Sequence, residues 1–299
     1  MNNTRRGFLK MLAGAGAGAA TLGSANKALA QHDFTGWPQT YGMLVDVSKC
    51  IGCRSCEAAC NEANNLQNGV NPDDQSVFEQ ERRTEHNVYT VVNRFNPEAA
   101  GGDPVFVKKQ CMHCKEPACF AACLCKAFTK EPEGAVTYNP DVCIGCRYCM
   151  QACPFYIPAY TYHSAFDAKV TKCTFCFDRI SKEGGIPACA EICPTGALTF
   201  GKREDLIRIA RKKIFNDQSY VDHIYGEHEV GGTSWMYISK VPFDQIGFKM
   251  DLGSTPMPKL TYGFLWTLPI LHTTLPVLLA GIYTLTKNRD KIEREREGR

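Results

Sequence analysis

Cys143-Ile-Gly-Cys146-Arg-Tyr-Cys149-Met-Gln-Ala-Cys153-Pro154 has the spacing C-x2-C-x2-C-x3-C-P, at which thiolates hold a cubane [4Fe–4S] cluster. The first three thiolates of such a stretch wrap one cluster from a tight loop. The fourth sits on the following helical turn and ligates a second cluster whose own loop lies elsewhere. The stretch therefore needs partners, and three further quartets supply them: Cys50, Cys53, Cys56 and Cys60; Cys111, Cys114, Cys119 and Cys123; Cys173, Cys176, Cys189 and Cys193. Each opens with C-x2-C and ends in C-x3-C. Of the 17 cysteines only Cys125 stands outside this scheme.

Two other uses of cysteine compete. Many cysteines in an exported chain ordinarily suggest disulfides, and C-x2-C pairs also build tetrahedral zinc sites. The odd count and the repeated loops weigh against disulfides. Zinc needs neither a third cysteine two residues on nor the C-P ending. A structural zinc or disulfide protein without redox work is thus the rival from another class. At 299 residues there is room for a sizeable core. The net charge of +3 falls to about −1 without the four basic residues of the first thirty, and no dense basic patch points to nucleic acid.

Residues 1–30 read as a targeting segment. Thr4-Arg5-Arg6-Gly7-Phe8-Leu9-Lys10 matches a twin-arginine signal, a weakly apolar Ala/Gly run follows, and Ala28-Leu29-Ala30 offers a cleavage site. That export route carries folded proteins, so clusters can be inserted in the cytoplasm beforehand. Short strands are expected at Tyr41–Asp46, Val105–Val107, Ala135–Tyr138, Lys169–Thr171 and Ala197–Phe200, next to the cysteine loops, as in an internal repeat. Residues 61–110 are a polar insertion with a strand-like Val88–Val92 and no chemical role, read as solvated surface, with a partner-binding cap as the alternative. The aromatic stretch 154–168 (Phe155, Tyr156, Tyr160, Tyr162, Phe166) reads as packing. An amphipathic helix is expected over Lys202–Phe215, with Ile207, Ala210 and Ile214 on one face. His223 and His228 lack further ligands at metal spacing. From Leu260 to Thr286 no charged residue occurs. A helix of this length is about 40 Å long, enough for a hydrocarbon core of about 30 Å. His272 lies within it, and the basic tail 287–299 belongs on the cytoplasmic side.

Together the quartets, the leader, the segments Tyr225–Thr233 and Val241–Phe248 and the C-terminal span resemble one family: the four-cluster iron–sulfur subunits of membrane-bound oxidoreductases of the hydrogenase-2, formate dehydrogenase-N and dimethyl sulfoxide reductase type. The resemblance implies an α+β fold of two nested bacterial dicluster ferredoxin-like modules with loop-rich insertions, plus one C-terminal transmembrane helix. The four-cluster domain would span 31–200, with an outer module around 41–60 and 169–200 and an inner one around 105–153. An extension with partner-contacting loops (201–259), the span (260–286) and the tail would follow.

The resemblance further implies four [4Fe–4S] clusters held by crossed quartets: Cys50, Cys53, Cys56 and Cys193; Cys111, Cys114, Cys119 and Cys153; Cys143, Cys146, Cys149 and Cys123; Cys173, Cys176, Cys189 and Cys60. Asn61 and Leu124 depart from the proline that often follows the fourth cysteine, and His113 reads as a neighbour of a cluster rather than a ligand. The implied protein is no enzyme by itself. It is an electron relay on the periplasmic side of the inner membrane, between a catalytic subunit (hydrogenase first, a molybdopterin enzyme or multihaem cytochrome second) and a quinone-reactive membrane subunit.

Overall fold

A computed structural model of the chain describes residues 39–71, 73–162 and 169–298. The leader and Phe166 lie outside the described residues. The chain divides into two units at Leu260.

In the first unit, strand β1 (Tyr41–Asp46) is central to a three-stranded sheet. Its side chains alternate between two cores, as a pleated strand covered on both faces requires. Met43 and Val45 pack with Phe175, Trp235 and Tyr237, whereas Leu44 packs with Leu206, Ala210, Met236 and Ile238. Burying a large apolar side chain of this kind stabilises by about 1.5–3 kcal/mol. Strand β8 (Leu198–Lys202) pairs antiparallel with β1, Met43 opposite Phe200, and β9 (Trp235–Ile238) pairs with it in parallel, Met43 opposite Trp235. The loop-rich extension thus contributes core: Trp235, Met236, Tyr237 and Ile238 are all fully buried. The expected amphipathic helix is α6 (Arg203–Asn216), with Leu206 and Ala210 buried and Ile207 and Ile214 packed beside them.

Three two-stranded ribbons complete the unit. They are β2 (Thr90–Phe95) with β3 (Val105–Gln110), β4 (Phe128–Lys130) with β5 (Val136–Tyr138), and β6 (Ala159–Tyr160) with β7 (Val170–Thr171), all antiparallel. The first of these corrects the reading of 61–110 as solvated surface. Val91, Val92, Asn93, Val107, Lys108 and Gln110 are buried, so the ribbon is an inner wall.

Two helix pairs carry the later cysteines of the quartets. Helix α1 (Ser55–Ala63), bearing Cys56 and Cys60, packs on α5 (Ala188–Glu191), bearing Cys189. Helix α2 (Ala118–Ala121), bearing Cys119, packs on α3 (Tyr148–Ala152), bearing Cys149. Helix α4 (Phe177–Glu183) follows Cys176.

The second unit contains most of α7 (Met257–Glu297), a helix long and apolar enough to cross a membrane. The hydroxyls of Thr267, Thr273, Thr274, Thr284 and Thr286 donate back to carbonyls one turn earlier. This leaves few polar groups without partners on an apolar helix that also contains Pro269 and Pro276. His272 Nδ1 lies 2.8 Å from the Leu268 carbonyl within the same helix.

Candidate metal centres

Each C-x2-C loop turns at the residue before its second cysteine, which adopts positive φ: Gly52 (73°), His113 (47°), Gly145 (68°) and Phe175 (61°). Glycine takes this conformation freely; His113 and Phe175 are held in it by their surroundings. Their rings pack against each other at 4.9 Å, and both are buried. The turns aim backbone N–H groups at sulfur. The amide of Gly145 donates to Cys143 Sγ (3.4 Å) and that of Phe175 to Cys173 Sγ (3.3 Å); outside these turns, the Ala127 amide donates to Cys123 Sγ (3.2 Å).

The fold gathers the sixteen quartet cysteines into four groups. Cys50, Cys53 and Cys56 line one cavity together with Cys193, which follows α5. Cys143, Cys146 and Cys149 line another with Cys123, and Cys125 is on the same wall. Cys60 lies within electrostatic reach of Cys176 and Cys189, and Cys173 of Cys60 and Cys189. Cys114 is likewise close to Cys111, Cys119 and Cys153. The groups adjoin in a row. Cys56 neighbours Cys189, Cys173 and Cys111 share a small apolar cluster with Ile157, and Cys119 neighbours Cys149. The order is therefore the Cys50, Cys173, Cys111 and Cys143 groups.

These thiols are poorly placed to ionise alone. Burial pushes Cys60 up to about 12, helped by Cys189 and Cys176 against the pull of Lys108. Burial likewise takes Cys149 to about 11, with Cys143, Cys146 and Cys123 adding to it. Cys153 reaches about 11 although the Ile157 amide favours its thiolate. Burial, with neighbouring cysteines adding to it, raises Cys114 and Cys173 well above the ordinary thiol range. Four thiolates in one apolar pocket become tolerable only around a cationic centre, since unpaired buried charge is costly. The thiols also surround shared cavities instead of converging on a point. Among the described residues no three His, Cys, Asp or Glu side chains approach closely enough to hold a single metal ion. Two buried donors fit a sulfur-rich group as well. His113 Nδ1 accepts the Val136 amide at 2.9 Å, which puts the ring proton on Nε2, and Nε2 has no protein partner; nor has Trp235 Nε1. Burial, then Lys172 and Lys130, hold His113 well below the usual histidine range, so the ring is neutral.

The residues present therefore fit iron–sulfur clusters, and thiol groups of this kind define an iron–sulfur protein. Comparison with known sequences agrees. Residues 103–203 match the 4Fe-4S dicluster domain family. The chain is 33% identical over 285 residues to the hydrogenase-2 operon protein HybA of Escherichia coli O157:H7, a match covering 84% of this chain and 85% of that protein. It is 38% identical over 202 residues to the formate dehydrogenase iron–sulfur subunit of Haemophilus influenzae, covering 65% and 63%. A protein of Nitratidesulfovibrio vulgaris is 51% identical over 298 residues, covering 98% of this chain and 80% of its own length. The chain belongs to the family of ferredoxin-like iron–sulfur electron-transfer subunits that includes HybA and the formate dehydrogenase iron–sulfur subunits.

Sequence reasoning missed several residues around the cysteines. Lys108 is buried in the wall of the Cys50 cavity. Glu57, 2% exposed, is clamped by Arg82 (2.6 Å) and by the Val92 amide (2.6 Å), tying α1 to β2. Both come from the polar insertion or face it, and neither has a motif of its own. His223 is taken by Glu229 at 2.6 Å, and His228 is exposed beside Glu227.

Proposed function

We propose that the chain is a membrane-anchored relay on the periplasmic side, carrying electrons through four [4Fe–4S] clusters. The electrons would pass between an exported catalytic subunit, of nickel–iron hydrogenase type, and a quinone-reactive membrane subunit. The observation that carries this reading is the row of four thiol groups, each adjoining the next. When bound, a cluster takes up or releases one electron at a time. The chain's own residues would hold and insulate it. The ligand sets are Cys50, Cys53, Cys56 and Cys193; Cys173, Cys176, Cys189 and Cys60; Cys111, Cys114, Cys119 and Cys153; and Cys143, Cys146, Cys149 and Cys123. Ile157, Phe155 and Trp235 keep water from the middle of the row.

In this reading the two helix pairs are the centres of two nested ferredoxin modules. Support comes from their equivalent contents, since each pair carries the third cysteines of two quartets, Cys56 with Cys189 and Cys119 with Cys149. The twin-arginine segment supports export, and α7 supports anchoring. The Cys143 end, where Cys146, Ile144 and Tyr148 are exposed, suits the membrane partner. The match along most of HybA favours a hydrogenase; the formate dehydrogenase relatives favour a molybdopterin enzyme as the second reading.

Metal analysis of the complex purified in mild detergent tests this. Four clusters require about sixteen irons per chain. Nickel beside them identifies a hydrogenase, and molybdenum or tungsten the second reading. Zinc with little iron overturns both. Replacing Cys153 by Ser is expected to alter the cluster of Cys111 and spare that of Cys143; the reverse result would sink the crossed assignment.

A further inference from the structure

Strand β3 alternates, so Phe106, Lys108 and Gln110 share one face. This face looks onto the first cysteine loop. A Cβ on Gly52 would lie 2.4 Å from the Phe106 ring, and Lys108 lines the cavity of Cys50, Cys53, Cys56 and Cys193. Lys108 is only 3% exposed. Its ammonium donates to Thr90 Oγ1 (2.6 Å) and Gln110 Oε1 (3.0 Å) and lies 4.7 Å from the centre of the Trp235 ring. Both hydrogen-bond acceptors are neutral, and among the described residues no carboxylate pairs with it. A buried cation without a carboxylate needs negative charge from elsewhere. The groups within reach are Cys189, Cys56, Cys173 and Cys60, which come from two adjoining cysteine groups.

We propose that Lys108 is a fixed cation shared by the clusters of the Cys50 and Cys173 groups, and that its charge raises the reduction potential of both. The inference rests on the ligand sets proposed above. An added electron makes a cluster more negative, so a nearby ammonium stabilises the reduced form more than the oxidised one, and a low-dielectric setting strengthens the effect. The Cys111 group has lysines of its own, half-buried Lys130 near Cys114 and buried Lys172 near Cys119. Removing Lys108 therefore changes the field at one half of the row and leaves the other half its charges. Lys108 is a tuning residue at the end of the row opposite Cys143.

The test is a redox titration of the detergent-purified complex, followed by electron paramagnetic resonance, after iron has been counted. Signals are assigned with Cys50→Ser and Cys143→Ser variants. In Lys108→Met, reduction of the Cys50 and Cys173 clusters is expected to become about tenfold less favourable, about 59 mV for one electron. The other two are expected to change by less than about twofold. Lys108→Arg, which retains the charge, is expected to keep all four near their original potentials, separating charge from packing. Four clusters with unmoved potentials in Lys108→Met would overturn the inference, and so would an equal shift of all four. If Lys108→Met does not retain its iron, Gln110→Glu sets a carboxylate beside the ammonium and cancels its field with the lysine in place. The Cys50 cluster should then become harder to reduce, and an unmoved potential there is equally fatal. Fewer than four clusters in the unsubstituted protein would instead defeat the four-cluster reading, whatever Lys108 does.

Discussion

The loops Cys50–Cys56 and Cys143–Cys149 begin with the same five residues, Cys-Ile-Gly-Cys-Arg, and fold alike. Gly52 and Gly145 have φ of 73° and 68°, Arg54 and Arg147 of 58° and 61°, and both isoleucines are exposed. Their surroundings differ. Gly52 lies under the Phe106 ring. Arg54 is 4% exposed and donates to the carbonyls of Asn71 (2.7 Å) and Asp74 (3.1 Å). Arg147 is exposed and lies over the rings of Tyr160 and Tyr162 at 5.4 and 5.7 Å. Loop conformation is thus set locally by the motif, whereas burial comes from distant chain. Residues 61–110 cover one copy and leave the other open.

The sharpest test exchanges the two glycines. Alanine at either position meets the left-handed conformation, which costs a non-glycine residue about 1–2 kcal/mol. At Gly52 the new methyl also meets the Phe106 ring at 2.4 Å, and overpacking of this kind adds about 1–3 kcal/mol. Gly52→Ala is therefore expected to destabilise by about 2–5 kcal/mol and Gly145→Ala by about 1–2, read from denaturation midpoints of the iron-loaded protein. Equal losses would mean that the ribbon does not seal the first loop. His113 and Phe175 hold the same backbone conformation without glycine, so the position itself tolerates a side chain where neighbours leave room.

The arginines come next. Arg54→Ala leaves the carbonyls of Asn71 and Asp74 without a donor and removes one cation from Glu57, which keeps Arg82. Water can reach those two carbonyls on an exposed and a half-buried residue, so the cost falls on buried Glu57 and the emptied Arg54 site, about 1–3 kcal/mol. Arg147→Ala loses only exposed contacts with two tyrosines, about 0.5–1 kcal/mol. The same midpoints measure both, and a larger loss at Arg147 would reverse the assignment of covered and open ends.

The cysteine spacing and the strands beside each loop could be read from the sequence, because ligand spacing and strand alternation are local. Strand β1 and helix α6 appear within a residue of where the periodicity puts them. The cover over the first loop could not be read in this way. Val105-Phe-Val-Lys-Lys-Gln looks like an edge strand with two solvated lysines, yet Lys108 turns inward while Lys109 reaches Glu81. Only the pairing of β3 with β2 and the neighbouring cysteines decides between them. Strand β9 was equally hidden, since its parallel partner β1 lies almost two hundred residues earlier. The grouping of Cys193 with Cys50, and of Cys123 with Cys143, depends on long-range packing too; at the level of sequence it came from resemblance alone.

The smallest change in stability is expected where the two loops look most alike. Ile51 and Ile144 are 60% and 67% exposed, so replacing either by serine removes little buried surface, and exposed substitutions usually move stability by no more than about 0.5 kcal/mol. Their neighbours separate them. Ile144 stands in one short stretch with Val142 and Tyr148, all exposed, and exposed apolar residues grouped in this way mark a contact surface. If the Cys143 end meets the membrane subunit, losing the Ile144 side chain from a dry interface should cost about 1–2 kcal/mol of association, roughly tenfold in affinity. Ile51→Ser should leave that association unchanged. Titrating the membrane subunit in detergent against each variant, with thermal unfolding as the control, reads the two effects separately. Weakening by Ile51→Ser instead would place the membrane partner at the covered end of the row, next to Lys108.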